Sequence, residues 1–185
     1  MKPAKLKQLL TSEVAMQISL AMVLIGFAVV SRLLPHPANV APIAAVAIFG
    51  GAILPKKWAV FLPLTAMMVS DLFIGLHPLI LFTWGSFAVI ALASSHWLRR
   101  ISPFSVVAAS LGASVFFFLV SNFGVWLEGR LYPPTLEGLV HCYYNALPFF
   151  RNTLIGDLFY CGLLFGAYAF VRKVALREYN PQRLT

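Results

Sequence analysis

The alternation of apolar and polar positions divides the chain into six apolar runs, at residues 14–33, 40–54, 58–76, 79–98, 104–127 and 149–173. Each run is continuous enough to predict a helix and not the period-two pattern of a half-buried strand. The second is short for the ~20 residues that a bilayer-spanning helix needs at 1.5 Å per residue. Its approach is the most informative stretch of the chain. Arg32 closes the first run, and Pro35-His36-Pro37-Ala38-Asn39 follows. Proline fixes φ and biases the residue before it away from helix, so this link is a shaped turn. Pro42 is acceptable in the first turn of the next helix. The small residues Ala41, Ala44, Ala45, Ala47, Gly50, Gly51 and Ala52 then allow close helix packing. A charged, turn-rich rim leading into a close-packed helix predicts a polar pocket opening on one membrane face. Non-helical backbone at membrane depth is tolerated where protein or a water-filled cavity surrounds it.

Composition agrees with the pattern. The chain is 60% hydrophobic and 11% charged, with mean hydropathy +0.84, against about 25% charged residues in a soluble domain. The expected class is an all-α integral membrane protein, a bundle of six transmembrane helices. The net charge of +8 would suggest nucleic acid in a soluble protein; here the basic residues read as topology signals. Eleven of the 14 lie at Lys2, Lys5, Lys7, Lys56, Lys57, Arg99, Arg100, Arg172, Lys173, Arg177 and Arg183, on one side of the alternation. Arg32, Arg130 and Arg151 fall on the other. The positive-inside rule then places both termini in the cytoplasm with six crossings, and the inner membrane is the expected location. The run at 14–30 exceeds the ~7–15 residues of a signal-peptide core and lacks an A-x-A site, so it reads as a retained helix. Residues 1–13 form a basic lead, 14–173 one helical domain and 174–185 a tail.

Ionised residues inside such runs cost roughly 2.5–3.5 kcal/mol each at a helix centre, so they face the interior and pair. Arg32, Asp71, Arg151 and Asp157 are the relevant ones, and the topology gathers all four in the outer half. Asn39, His77, Trp84, Asn122, Trp126, His141, Tyr143, Tyr144 and Asn152 share that half. Polar and aromatic groups converging in an apolar setting are the usual composition of a small-molecule site. Arg32 and Arg151 are expected as anchors for an anion or carboxamide, with Asp71 and Asp157 as their orienting partners. Asn39, His77 and Asn122 would add hydrogen bonds, while Trp84, Trp126 and Tyr144 would stack on a ring. Thr153, Asp157 and Cys161 are spaced to share one face of helix six, and Met67 lies under Asp71 in the same way.

Other features add less. The long connection at 128–148, with a segment at 135–144 able to form an amphipathic helix, is of a length usually reserved for function. Gly162-x-x-x-Gly166 is expected to serve internal packing, and Pro63 to kink helix three. His36, His77, His141 and Cys142 lack any local metal-ligand spacing, so no metal or cofactor is expected. No nucleophile signature and no P-loop are present, which argues against an enzyme and against ATP hydrolysis by this chain. A purely structural reading, in which ion pairs pin a bundle, remains the alternative. A membrane enzyme using His141, Cys142 or His77 is the third.

Arg32–Ile43 followed by Phe49-Gly50-Gly51-Ala52, Ser70-Asp71-Leu72, Ser121–Trp126 and Asn152–Asp157 resemble an uncharacterised family of small bacterial membrane proteins. That family looks similar to the substrate-binding S components of energy-coupling-factor (ECF) vitamin transporters, including solitary cobalamin carriers. The resemblance spans roughly residues 14–172. It implies capture of a vitamin-class micronutrient, cobalamin or a related compound, in a pocket capped by outer loops, with lipid as the surroundings. A separate transmembrane and ATPase module would be the partner, with solitary operation also open. The first helix offers only Ala15-x-x-x-Ser19 where S components carry an alanine docking motif. At the position where solitary cobalamin carriers look to use a thiolate, this chain has Thr83-Trp84-Gly85-Ser86, with His77 as a substitute imidazole.

Overall fold

The computed structural model describes residues 3–179, and among them the fold is all-helical. In chain order the helices are α1 (Pro3–Leu33), α2 (Ile43–Ile53), α3 (Lys56–Ile74), α4 (Ile80–Trp97), α5 (Pro103–Glu128) and α6 (Leu136–Tyr179). Lys2 and Arg183 lie outside the described residues. α1 starts ahead of its apolar run, so the backbone of the basic lead is already helical there. Four stretches are long and apolar enough to cross a membrane: Glu13–Leu33, Ile80–Trp97, Pro103–Glu128 and Leu136–Val174. Ile43–Ile53 and Trp58–Ile74 are apolar but shorter.

The distribution of polarity suits lipid better than water. Phe73, Leu81, Trp97, Phe104 and Phe170 are exposed, while Ser70, Asp71, Ser86, Ser110, Ser114, Thr153 and Asp157 are buried. Polar groups turned inward and large apolar ones outward are the arrangement that a hydrocarbon solvent enforces.

The short helix α2 is the centre of the bundle. It packs on each of the other five, and contacts from α1 to α3, α3 to α4, α4 to α5 and α5 to α6 form the surrounding wall. Phe27 of α1 meets Tyr160 of α6 edge-on at 5.9 Å, drawing the two ends of that wall together. Residues Ile43 to Gly51 are all buried, as expected for a helix that is apolar all round. Its small residues make this position possible. A Cβ on Gly51 would lie 2.5 Å from the Ala91 carbonyl of α4, and one on Gly50 would lie 2.6 Å from Leu62 Cδ1 of α3. Because α2 is shorter than its neighbours, it leaves space above its N-terminus.

The turn before α2 follows from its sequence. Val40 N–H donates to Pro37 O at 3.0 Å, which makes 37–40 a β-turn with Asn39 in its third position. Asn39 has φ 64°, the left-handed conformation that a type II turn needs there and that Asn tolerates. Asn152 Nδ2 donates to Ala38 O at 3.1 Å and ties the turn to α6. At the opposite end of the bundle, Ser102 and Ser105 form a reciprocal capping box ahead of α5, with Pro103 in its first turn.

The 128–148 connection is shorter than the sequence suggests. Residues 136–148 are helical, as the amphipathic pattern at 135–144 allows, but they run without a break into α6. Pro148 usually ends a helix because it lacks an N–H and clashes with the preceding turn. Here the segment ahead of it is held on α5: Tyr143 Oη donates to Leu119 O at 2.7 Å, and Cys142 and Ala146 are buried. Tertiary packing therefore carries the helix through the proline. Gly162 and Gly166, expected inside, instead face open space.

Candidate functional site

The space above α2 is a cavity in two adjoining lobes. The smaller, about 210 Å³, is floored by Ala41, Ile43 and Ala44 and walled by Arg32, His36, Met67, His77, Phe87 and Asp157. The larger, about 340 Å³, lies between the start of α4 and the α5–α6 hairpin, with Leu79, Ser121, Asn122, Tyr132, Cys142 and Asn145 in its wall. Asn39, Thr83, Phe117 and Thr153 line both. Phe117 stacks on Phe87 at 5.0 Å between ring centroids, which gives the junction a flat aromatic side.

The wall of the smaller lobe is braced by a cluster around Asp71, which is 1% exposed. Arg32 Nη1 lies 2.8 Å from Asp71 Oδ1. That oxygen has no aligned hydrogen bond, so the contact is held by charge. Trp84 Nε1 donates to Oδ2 at 2.8 Å, and His77 Nε2 stands 3.8 Å from the same oxygen. Arg32 Nη1 also donates to Ser70 Oγ and to Met67 Sδ, the latter at 3.1 Å. Ser70 passes its own hydrogen to Ala66 O at 2.6 Å. The spacing of Met67, Ser70 and Asp71 within two turns of α3 puts all three in reach of one guanidinium. A second polar group sits across the lobe on α6. Ser114 Oγ donates to Asp157 Oδ2 at 2.6 Å, and Thr153 and Cys161 are buried on the same face.

The expected site residues therefore divide. Arg32, Asn39, His77 and Asp157 line the smaller lobe, Asn122 lines the larger, and Asp71 and Trp84 stand behind the wall as braces. Asn122 Nδ2 donates to Phe118 O at 2.8 Å, within its own helix. Arg151, Trp126 and Tyr144 are not brought to the cavity. Arg151 is exposed and has no ion pair among the described residues. At 3.6 residues per turn, six residues separate it from Asp157 by about 120° around the helix, so the two do not meet. Trp126 Nε1 donates to Pro133 O and Thr135 O, bracing the α5–α6 turn. Tyr144 is 70% exposed on the outer face of α6. Thr83, Phe117 and Ser114 are the contributors that sequence spacing did not single out. Each is an ordinary helical residue whose role depends on a neighbour far along the chain.

Among the described residues no three His, Cys, Asp or Glu side chains gather closely enough to hold a metal. His141 is exposed, His36 turns its Nδ1 to Leu34 O at 2.7 Å, and Cys142 Sγ donates to Asn122 O at 3.4 Å. What the arrangement offers is an apolar and aromatic chamber with a few fixed polar groups, the composition of a small-molecule site. No curated protein and no solved structure matches the chain. A family model described as a family of unknown function (DUF6580) matches residues 12–181, and the chain belongs to that family.

Proposed function

We propose that this protein is a membrane-embedded solute-binding protein of the uptake type, capturing a small vitamin-class compound from the outer face of the inner membrane. The observation that carries this reading is the two-lobed cavity above α2, into which Arg32, Asn39, His77, Asn122, Thr153 and Asp157 are drawn from five separate segments of the chain. A bundle held only by internal ion pairs needs no chamber between them; a solute carrier does. The distribution of basic residues supports N- and C-termini in the cytoplasm, which turns the cavity end outward. Six helices, an outward chamber and the absence of a P-loop fit an S-component-like domain working alone or on a separate ATPase module. We read the chemistry as binding and not catalysis: Cys142, in the wall of the larger lobe, donates to the α5 backbone, His77 faces Asp71, and His141 lies away from both lobes.

Binding moves a solute only if the outward and inward states hold it differently, so retention in the outward state is the first thing to measure. Protein purified gently from cells in rich medium is expected to carry a small molecule visible by mass spectrometry. Thr153→Trp fills the junction of the lobes and is expected to remove that molecule while the bundle stays folded. Wild-type protein that carries nothing would return the polar groups to a purely structural role.

A further inference from the structure

The smaller lobe contains a carboxyl group without a cationic mate. Asp157 is 3% exposed, and its recorded donor is the Ser114 hydroxyl at Oδ2. Among the described residues no Lys, Arg or His lies within ion-pairing distance of it. Among the described residues nothing donates to Oδ1, and Asp157 lines the lobe. Asp71, equally buried, is by contrast matched by Arg32 and Trp84. That ion pair also takes up the Arg32 charge, so the lobe is left with the carboxylate of Asp157.

Burying a carboxylate without a cation is costly. A cation entering from the cavity removes that cost. The N-terminal end of α2, at Ile43 and Ala44, opens on the same lobe and favours an anion. That end is worth about half an elementary charge against the full charge on Asp157, so the carboxylate decides the sign. The Phe87 and Phe117 rings that line the same lobe also favour a cation over an anion.

We infer that the smaller lobe receives a cationic nitrogen of the captured solute, with Asp157 as its counter-ion and the Phe87–Phe117 pair against its apolar body. This deepens the uptake reading and depends on it for the identity of the solute as cargo. The test uses three probes of one shape on full-length protein in detergent, after dialysis of any retained molecule: benzylamine, benzyl alcohol and benzoate. Saturation-transfer NMR with titration should show benzylamine binding at least about tenfold tighter than benzyl alcohol, the worth of a hydrogen bond to a charged group. Benzoate should not compete with it. Asp157→Asn should erase the preference for the amine. The wild-type series stands even if that variant fails to fold. Equal binding of amine and alcohol, preference for benzoate, or no binding by any probe would overturn the assignment. A retained solute together with such a result would leave the uptake reading intact; an empty protein would remove that reading separately.

Discussion

Arg32→Ala is expected to destabilise the bundle by about 3–5 kcal/mol, the usual cost of removing one partner from a buried ion pair. It strands Asp71 with the Trp84 indole as its close donor, and it leaves Ser70 Oγ and Met67 Sδ without the guanidinium that drew them together. Most of that cost comes from the orphaned carboxylate and not from lost attraction, so a second substitution separates structure from function. Replacing both partners by apolar residues of similar volume is often neutral, and Arg32→Met with Asp71→Leu should recover most of the lost stability. The double variant should still retain solute poorly, because Arg32 lines the lobe and its hydrogen bonds to Ser70 and Met67, with that of Trp84 to Asp71, no longer set the shape of the wall. Thermal unfolding in detergent reports the first effect and mass spectrometry of the purified protein the second. A double variant that holds solute as the wild type does would make the pair a strut and nothing more.

The helices were legible because lipid exposure writes long apolar runs into a chain, and nine of the twelve helix ends agree to within three residues. Among the three that do not, the start of α6 is instructive. Pro148 marks a boundary on local rules, yet α6 passes through it because Tyr143, Cys142 and Ala146 are fastened to α5. Contacts of that kind are invisible to a local pattern. The candidate site was legible in the same proportion. Arg32 and Asp71 are both ions in apolar runs at matching depth, and pairing was the inexpensive solution. Asp157 was legible as a buried ion but not its partner, since Ser114 lies 43 residues away and is one serine among many. Arg151 shows the limit of depth as a guide: it sits at the right level of α6 but on the wrong side of the helix. Tyr144 likewise faces outward, while Trp126 lies one turn beyond Asn122 and its indole is taken up by the Pro133 and Thr135 carbonyls.

The cavity exists because α2 is both short and closely held, and the second large effect tests the close holding. Gly51→Ala is expected to cost about 1–3 kcal/mol, the range for overpacking a filled interior. Its Cβ would meet the Ala91 carbonyl at 2.5 Å and Ser94 Cβ at 2.8 Å, and backbone of α4 cannot step aside as a side chain can. Gly50→Ala meets Leu62 Cδ1 at 2.6 Å, the end of a flexible side chain, and should cost less. Gly162→Ala faces open space and should stabilise α6 by up to about 1 kcal/mol through helix propensity. Unfolding midpoints of the three variants in one detergent should therefore fall in the order Gly162→Ala, Gly50→Ala, Gly51→Ala from highest to lowest. Pushing α4 away from α2 also moves Thr83 and Phe87, which line the smaller lobe, so Gly51→Ala should weaken solute retention from a position outside the cavity wall. If Gly51→Ala proves as stable as Gly162→Ala, α2 is not gripped by α4, and the space above it is not a fixed chamber.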